Sequence, residues 1–400
     1  MKLLYLTFQE DAPLYSGVTR KIAWQAEAFE RLGFEVTYSL WSGAEYRFRT
    51  GNRTETVSVP EGSGRMHRFA QAAGEYLKQH PCDVLYFRLD RMSFDATALC
   101  RAAKAGGAQK VILEIPNYPY FKDYIRNVRG VRPMTRQAIT LAKILGTAAE
   151  DRFSGLSLRG AADAAVLIGD RAERFFGIPA VNISNGVAVS EFDEIRHPQN
   201  KEEIVLIGVA GTLWWQAYDR VLAGMAAYRK RHPEGPKLRF LLVGGDAKEM
   251  PEFHRQVSQF GLEDSVECPG FRTGKALAEY YGRADLGVSS LGCYRRGLIR
   301  CSSLKAREYC AAGIPFLYAY EDDDLDANAP FAIKLPNDSS PVDMERVVEF
   351  TGRCRENPAV SEAEREFART HYDWVSILKK VLDFAGVKLP ESEIDRKFRR

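Results

Sequence analysis

The sequence predicts an α/β protein built from two doubly wound domains that face each other across a cleft. Short apolar runs of strand length alternate with segments of helical period along most of the chain, which is the pattern of parallel sheets covered by helices. The alternation stops at a polar, proline-broken stretch over residues 192–203 and then starts again. With 400 residues, 45% of them hydrophobic, the chain is long enough for two cores.

The first domain is predicted over residues 1–195. An apolar run at 2–8, a turn that contains Gly17 and a helical pattern from 18 to 32 form its β-loop-α start. Residues 51–64 are polar and predict a long loop or an irregular hairpin. Its other elements are strands at 34–40, 83–89, 111–115, 164–168 and 181–184 and a helix at 66–79.

The second domain is predicted over residues 196–375. Its strands are expected at 204–209, 238–243, 266–268, 285–289 and 315–318, and its helices at 217–230, 250–260, 275–283 and 302–313. Two helical segments, 343–357 and 362–384, close the chain. Residues 376–400 are assigned to a C-terminal helix and polar tail that can return to the first domain.

Composition excludes several classes of protein. The net charge is +3, from 56 basic and 53 acidic residues, so we expect no nucleic-acid partner. Seven cysteines without a C-x-x-C pair and six scattered histidines predict reduced thiols and no metal site. The N-terminal apolar run is too short for a secretory signal, and no run approaches the ~18 residues of a spanning helix. These features predict a cytoplasmic protein.

A helix with a sharp start and a sharp end is predicted near residues 302–315. Ser302 and Ser303 are candidate N-caps, Gly313 can take positive φ at the C-terminal end, and Pro315 prevents continuation. The helix should therefore have about three turns.

Two charged residues lie on one face of this helix. Lys305 and Glu308 are three positions apart near the positive end of the helix dipole, so they suit a ligand that carries both phosphate and hydroxyl groups. The alternative is an ordinary ion pair on a solvated surface.

Three strand-to-helix connections are candidate ligand loops. Residues 16–20, with Gly17, open the first helix and can hold a phosphate on free N–H groups. A serine-glycine turn before a helix is also common where no ligand binds. Residues 292–301 carry Arg295, Arg296 and Arg300 directly before the helix at 302, which suits an anion; the alternative is a solvated loop. Two tryptophans within residues 211–220 can shape a sugar or nucleoside site or simply fill the core.

Taken in order, several fragments of the second half carry a family resemblance. They are Asn185-Gly186-Val187, Gly208-Val209-Ala210-Gly211, Leu241-Leu242-Val243-Gly244, Cys268-Pro269-Gly270-Phe271, Ala284-Asp285-Leu286-Gly287 and the run from Ser303 to Pro315. The second half resembles the donor-binding domain of retaining GT-B glycosyltransferases of family four, in particular the bacterial capsule and exopolysaccharide branch. Gly17 and the segment 33–36 resemble the start of that family's acceptor domain.

The resemblance implies roles for individual residues. Glu308 matches the second glutamate of the family's signature pair, which holds the ribose hydroxyls, whereas Arg300 stands where the first glutamate contacts the donor sugar. The family's lysine after the first strand of this domain is also absent, and Lys305, Arg220 and either Arg295 or Arg296 are its predicted replacements. The predicted catalytic residues are Glu308, Lys305 and Arg220. The predicted donor contacts are Gly17, Gly211, Thr212, Phe271, Arg295, Arg296, Arg300, Ser303, Leu304 and Glu308.

The implied reaction is transfer from a UDP- or GDP-sugar to a glycan or lipid-linked saccharide with retention of configuration, in cell-surface polysaccharide synthesis. N–H groups and cations stabilise the leaving diphosphate in such a reaction, and we predict neither a metal nor a cofactor beyond the donor substrate. On the acceptor side we expect Arg88, Glu114 and Asn117, at or after strand ends; the alternative is ordinary loop polarity.

A basic, partly aromatic segment predicts peripheral contact with an anionic membrane. Residues 116–159 hold eight Lys or Arg against three acidic residues, interleaved with apolar side chains. A solvated helix face is the alternative.

Two other functions remain open. A nucleotide-sugar epimerase of the same architecture would need acid and histidine groups at strand ends, where none is convincing. A catalytically degenerate scaffold subunit would explain the missing glutamate and lysine.

Overall fold

In the computed structural model, residues 1–12, 16–42, 45–58, 64–120, 134–195, 202–210, 214–245 and 250–390 are described. The chain forms two compact units: the first runs to Ile183 and resumes at Trp374, and the second runs from Ser184 to Asp373. The boundaries predicted from the sequence lie near residues 195 and 375.

The first unit contains a sheet of nine described strands in the order β4-β3-β2-β1-β5-β6-β7-β9-β8. Pairing is parallel from β2 to β9, and antiparallel for β2–β3, β3–β4 and β8–β9. The strands are β1 (Lys2–Thr7), β2 (Glu35–Ser42), β3 (Glu45–Thr50), β4 (Arg53–Ser58), β5 (Val84–Arg88), β6 (Lys110–Tyr118), β7 (Ala164–Gly169), β8 (Arg174–Phe175) and β9 (Ile178–Asn182). Its first four described helices are α1 (Ser16–Arg31), α2 (Arg65–Gln79), α3 (Phe94–Ala105) and α4 (Met134–Leu156).

The second unit contains a sheet of six described strands, all parallel, in the order β12-β11-β10-β13-β14-β15. The strands are β10 (Glu203–Val209), β11 (Lys237–Val243), β12 (Val266–Gly270), β13 (Leu286–Val288), β14 (Phe316–Tyr318) and β15 (Ala332–Lys334). The helices are α5 (Asp219–Arg231), α6 (Pro251–Gln259), α7 (Gly274–Arg283), α8 (Leu304–Ala312), α9 (Met344–Glu356) and α10 (Ala359–Phe367). Numbered from β10, this is the strand order 3-2-1-4-5-6 of the Rossmann fold.

An antiparallel hairpin at the edge of the first sheet resolves one open prediction. Part of the polar stretch 51–64 forms β4, which pairs with β3 across a tight turn where Gly51 has a φ of 52°. Five of the six residues of β4 are exposed, so the strand carries no hydrophobic alternation that would reveal it in the sequence.

The predicted helix at 362–384 is wrong as a single element. Helix α10 ends at Phe367, a π turn covers Ala368–Tyr372, Asp373 is extended, and a new helix, α11 (Trp374–Phe384), begins there. Helix α11 belongs to the first unit and buries Trp374, Ile377, Leu378, Val381 and Leu382. Apolar residues continue at helical spacing through the break, which explains the error.

None of the helices in the described ranges combines the length and the apolar character needed to cross a membrane.

Candidate functional site

The second sheet has its topological switch point between β10 and β13. Open α/β sheets bind ligands at such a point, outside the carboxyl ends of the strands. Two connections meet there: Ser290 Oγ, after β13, donates to Gln216 Oε1 at 2.8 Å, and Leu291 N donates to Gln216 O at 3.0 Å. The edge is therefore held together by contacts between its own loops.

Helix α8 begins at this edge, between β13 and β14. Ser303 is its N-cap residue with extended backbone, and the Ser303 side chain caps none of the first-turn N–H groups. Gly313 ends the helix with a φ of 75°, and Ile314 N donates to Tyr309 O at 3.0 Å. The predicted start and end of this helix are confirmed. An uncapped, positively polarised N-terminus suits an anionic group.

Glu308 lies one turn into α8 with only 4% of its surface exposed. The Tyr281 hydroxyl, from α7, donates to Glu308 Oε2 at 3.1 Å. This contact orients the carboxylate beside the helix that precedes β13. Tyr281 was not among the residues predicted from the sequence, because only the tertiary packing of α7 on α8 brings it to Glu308.

Lys305 is half-buried in the first turn of α8. Its ammonium forms no ion pair with any described residue, so the expected alternative of an ordinary Lys305–Glu308 ion pair is not found. Burial lowers the pKa of Lys305. The nearby Cys301 and Glu308 favour the charged form, but the net effect is still a lowered pKa. A half-buried cation without a carboxylate partner, next to a helix N-terminus, can serve as a counter-charge for a phosphate.

The three arginines of the loop before α8 differ in their contacts. Arg295 is engaged three times: Nη1 donates to Trp214 O at 2.8 Å, Nη2 to Asp219 Oδ2 at 2.6 Å and Nε to the Tyr294 hydroxyl at 2.9 Å. Arg296 is half-buried on the 3-10 turn Cys293–Arg296. Arg300 is largely exposed and donates through Nε to Asp323 Oδ1 at 3.2 Å.

Arg220 has a different environment from the predicted phosphate contact. Its buried guanidinium donates to three main-chain carbonyls, those of Ser340 at 2.6 Å, Leu291 at 2.7 Å and Pro336 at 3.0 Å. Each of the three guanidinium nitrogens thus donates one of its N–H groups to a main-chain carbonyl. Arg220 therefore ties the loop after β13 to the loop after β15.

Gln216, on the connection between β10 and α5, is followed by a strained residue. Ala217 has a φ of 54° and is fully buried. This left-handed conformation costs a residue with a side chain about 1–2 kcal/mol, so the surrounding packing must enforce it. The turn fixes where α5 leaves the switch point.

Four consecutive acidic residues after β14 bind four separate parts of the second unit. Asp322 forms a bidentate ion pair with the buried Arg307 of α8. The Cζ atom of Arg307 also lies 4.0 Å from the centre of the Tyr372 ring. The other pairs are Glu321 with Lys334, Asp323 with Arg300, and Asp324 with the Ser184 hydroxyl. This run, residues 321–324, holds α8 and its preceding loop in place.

The remaining predicted donor contacts are dispersed. Phe271 follows β12 and is 58% exposed, Leu304 is half-buried in α8, and Gly17 lies in the first turn of α1 in the other unit with open space around its Cα. Gly211 and Thr212 lie outside the described residues.

In the first unit, two of the three predicted acceptor residues form one buried charge cluster. Glu114 is fully buried in β6 and pairs with Arg88 of β5 and with Lys21 of α1, whose Nζ lies 3.5 Å from Glu114 Oε1. The Tyr86 hydroxyl and the Gln25 amide each donate to Glu114 Oε2 at 2.7 Å. Asn117 is exposed at the end of β6, apart from these contacts. Glu114 is thus enclosed by protein partners, where the sequence analysis expected an open strand end.

The pKa values in this cluster follow from burial and charge. Burial raises the pKa of Glu114, but Lys21, Arg88 and two hydrogen bonds outweigh it and bring the value to about 2. Burial lowers the pKa of Lys21 to about 8 despite the attraction of Glu114. Lys21 was not among the residues predicted from the sequence, because a lysine inside a helical pattern gives no sign that its side chain contacts Glu114 of the sheet.

Among the described residues, no group of three or more His, Cys, Asp or Glu side chains is arranged to hold a metal ion.

Comparison with known proteins gives the fold. No family model matches the sequence, and no curated protein matches it either. Solved structures do match over nearly the whole chain. A glycosyltransferase from Rickettsia africae has a TM-score of 0.63 at 14% identity and covers 96% of this chain and 97% of its own. The catalytic domain of starch synthase IV from Arabidopsis thaliana, bound to ADP and acarbose, has a TM-score of 0.59 at 13% identity, with 96% and 99% covered.

A third structure is WaaG, a glycosyltransferase involved in lipopolysaccharide biosynthesis, with a TM-score of 0.57 at 15% identity and 96% and 99% of the two chains covered. These matches confirm the predicted fold class. The chain has the two Rossmann-like domains of the GT-B glycosyltransferase fold.

Proposed function

We propose that this protein is a glycosyltransferase that moves a sugar from a UDP- or GDP-sugar to a glycan or lipid-linked saccharide, with retention of configuration, in cell-surface polysaccharide synthesis. The observation that carries the proposal is the presence of a cation, Lys305, and a carboxylate, Glu308, three positions apart on α8, a helix that begins at the switch point of a Rossmann-ordered sheet. Starch synthase IV, bound to ADP, and WaaG, involved in lipopolysaccharide biosynthesis, support it by their fold.

The two residues have separate roles in this proposal. Glu308, oriented by Tyr281, accepts hydrogen bonds from the ribose hydroxyls. Lys305 and the uncapped N–H groups of α8 stabilise the diphosphate as it leaves with added negative charge. Each such contact is typically worth about 2.7–4 kcal/mol in the transition state. The proposal needs no metal and no cofactor.

The test is a thermal-shift and calorimetric screen with UDP, GDP and their sugars. We expect one nucleotide to raise the melting temperature, because a ligand of the native state stabilises it by mass action. Glu308→Gln should weaken the binding of that nucleotide at least about tenfold. Lys305→Met should lower kcat for sugar transfer about 100-fold or more. The matched control is Glu279→Gln, an exposed glutamate on α7.

The same screen separates the alternatives. A scaffold subunit would show no nucleotide binding with the fold intact, and that result would contradict the proposal. An epimerase would convert a nucleotide sugar without an acceptor. Among the described histidines, His67, His80 and His232 pair with carboxylates on exposed surfaces, which gives an epimerase no support. Nuclear magnetic resonance of the product anomer tests retention.

We also propose that the protein works at the inner face of an anionic membrane, which helix α4 contacts. Its side chains Leu141, Leu145, Phe153 and Leu156 are 49%, 62%, 63% and 57% exposed. Lys143 and Arg152 are exposed on the same helix. Apolar side chains flanked by cations suit the surface of an anionic bilayer. Residues 121–133 of the predicted membrane segment lie outside the described residues.

Vesicle flotation tests this contact. The protein should float with phosphatidylglycerol vesicles more than with phosphatidylcholine vesicles, and less at high salt. The double variant Leu141→Ser, Leu145→Ser should lose most of this binding, whereas Phe260→Ser, at an exposed phenylalanine of the second unit, should not. Equal flotation of both variants, or none by the wild type, would refute the membrane contact.

A further inference from the structure

Arg300 is held at the carboxyl edge of the second sheet by main-chain contacts. It forms an isolated bridge with Glu321, and the flanking bonds are Cys301 N to Glu321 O at 3.1 Å and Glu321 N to Ile299 O at 2.8 Å. The loop before α8 is thus tied to the loop after β14. The position of the Arg300 backbone is fixed by the fold and does not depend on what its side chain binds.

The Arg300 guanidinium is only partly used. Its Nε donates to Asp323 Oδ1 at 3.2 Å, and its side chain is 56% exposed. Within the described residues, the terminal nitrogens Nη1 and Nη2 make no hydrogen bond. Asp323 therefore orients the guanidinium while leaving its outer edge, a planar pair of N–H groups, for a ligand.

Neighbouring arginines lack this freedom. Arg295 uses Nε, Nη1 and Nη2 in three separate contacts. Arg307 is fully buried in its pair with Asp322, and Arg220 donates from all three guanidinium nitrogens to main-chain carbonyls. These arginines maintain the structure of the loops, whereas Arg300 has donors to offer outside the protein.

Arg300 and Glu308 contact different connections of the second sheet. Glu308 faces Tyr281 of α7, the helix that connects β12 to β13, whereas Arg300 faces Asp323, which follows β14. In the sheet order these contacts are on the two sides of β13. If the proposed function is right, the diphosphate sits at the helix N-terminus with the nucleoside toward Glu308. The transferred sugar then lies toward Arg300.

We infer that the donor sugar carries a carboxylate, so that the donor is a nucleotide-diphosphate uronic acid and Arg300 is its specificity-determining residue. The free edge of a guanidinium can donate two parallel N–H···O bonds to the two oxygens of a carboxylate. A single hydroxyl has only one oxygen and cannot accept both bonds in this geometry. Asp323 balances the charge of Arg300 in the empty protein and keeps the fork in place. A neutral sugar would leave these donors to water.

The experiment compares matched donors on the full-length protein by calorimetry. The pairs are UDP-glucose with UDP-glucuronic acid and GDP-mannose with GDP-mannuronic acid, and UDP and GDP alone are measured beside them. We expect the uronic acid form to bind about tenfold or more tightly than its neutral partner. Arg300→Gln should remove that preference and leave the affinity for the nucleotide alone unchanged, while Arg300→Lys should restore only part of it. Arg255→Gln, in an exposed ion pair on α6, is the control.

The outcomes separate this inference from the proposed function. If a nucleotide binds and the uronic acid form binds no better than the neutral sugar, the inference fails and the proposed function stands. If Arg300→Gln weakens UDP or GDP alone as much as the uronic acid donor, Arg300 binds the diphosphate and the inference also fails. If no nucleotide binds at all, both are overturned.

Discussion

Glu364 on α10 is a fully buried glutamate, and neither of its carboxyl oxygens has a hydrogen-bond partner in the part of the chain that the structure describes. Burial raises its pKa well above the ordinary value. The nearby Cys310 and Cys354 thiols supply no cation to offset a charge on it. The folded protein therefore favours the protonated acid, which is neutral and less costly to bury.

Glu364→Gln should make stability less dependent on pH. In the wild type the folded state keeps a proton that the unfolded chain releases above about pH 4.3, so the free energy of unfolding falls as pH rises from there toward the folded pKa. The slope is about 1.4 kcal/mol per pH unit. The variant lacks this titrating group. In chemical denaturation, its free energy of unfolding relative to that of the wild type should therefore increase with pH.

The control is Glu366→Gln, an exposed glutamate two residues along that pairs with Arg369. It should follow the pH dependence of the wild type. A stability difference between Glu364→Gln and the wild type that is the same at pH 5 and pH 8 would show that Glu364 is ionised in the fold.

At the scale of single elements, helix α8 shows what the sequence could predict. Serine N-cap options, a glycine able to take positive φ and a following proline are local signals, and they predicted the helix bounds correctly. The partners of its charged residues were not predictable. Tyr281 beside Glu308 and Asp323 beside Arg300 come from other connections of the sheet, and no local pattern reveals which loops meet.

The same limit explains why the contacts of two predicted site residues, Arg220 and Glu114, could not be predicted. Arg220 is the last residue of the candidate ligand loop 211–220, and three carbonyls from distant loops accept hydrogen bonds from its guanidinium. Glu114 ends up in a buried cluster, because Lys21 of α1 and Arg88 of β5 converge on it. Residue type and spacing predicted where polar groups occur, whereas tertiary contacts decide whether a ligand can reach them.

Gly313→Ala should destabilise the end of α8. The residue has a φ of 75°, and a Cβ there would lie 3.2 Å from Ser361 Oγ and 3.3 Å from Arg365 Cγ. The conformation alone costs about 1–2 kcal/mol. Gly352→Ala in α9, with nothing within 4 Å of the new Cβ, should instead stabilise by about 0.5–1 kcal/mol. Calorimetric melting of both variants checks the prediction, and equal melting temperatures would contradict it.

At the scale of the whole molecule, the chain leaves the first unit at Ile183 and returns to it at Trp374. The return segment is α11, whose Trp374 is 1% exposed and lies under the Lys21 ammonium, 5.2 Å from it. The first unit is thus completed by the last described helix of the chain. The second unit, from Ser184 to Asp373, is continuous in sequence.

A chain that ends at Asp373 should lose the stability of the first unit and keep that of the second. Among the described residues the deletion removes seven buried apolar side chains, five of them in α11, and a Trp→Ala change alone typically costs about 3–5 kcal/mol out of a domain's 5–15 kcal/mol. Calorimetry should show one remaining transition, and the nucleotide that binds the full chain should still raise its temperature.

Because a truncated chain can aggregate, Trp374→Ala is the second test. It should lower only the transition that the nucleotide does not shift, whereas Phe384→Ala, at a side chain 46% exposed on the same helix, should leave both transitions in place. Loss of the nucleotide-sensitive transition in Trp374→Ala would show that the second unit depends on α11 for its own fold.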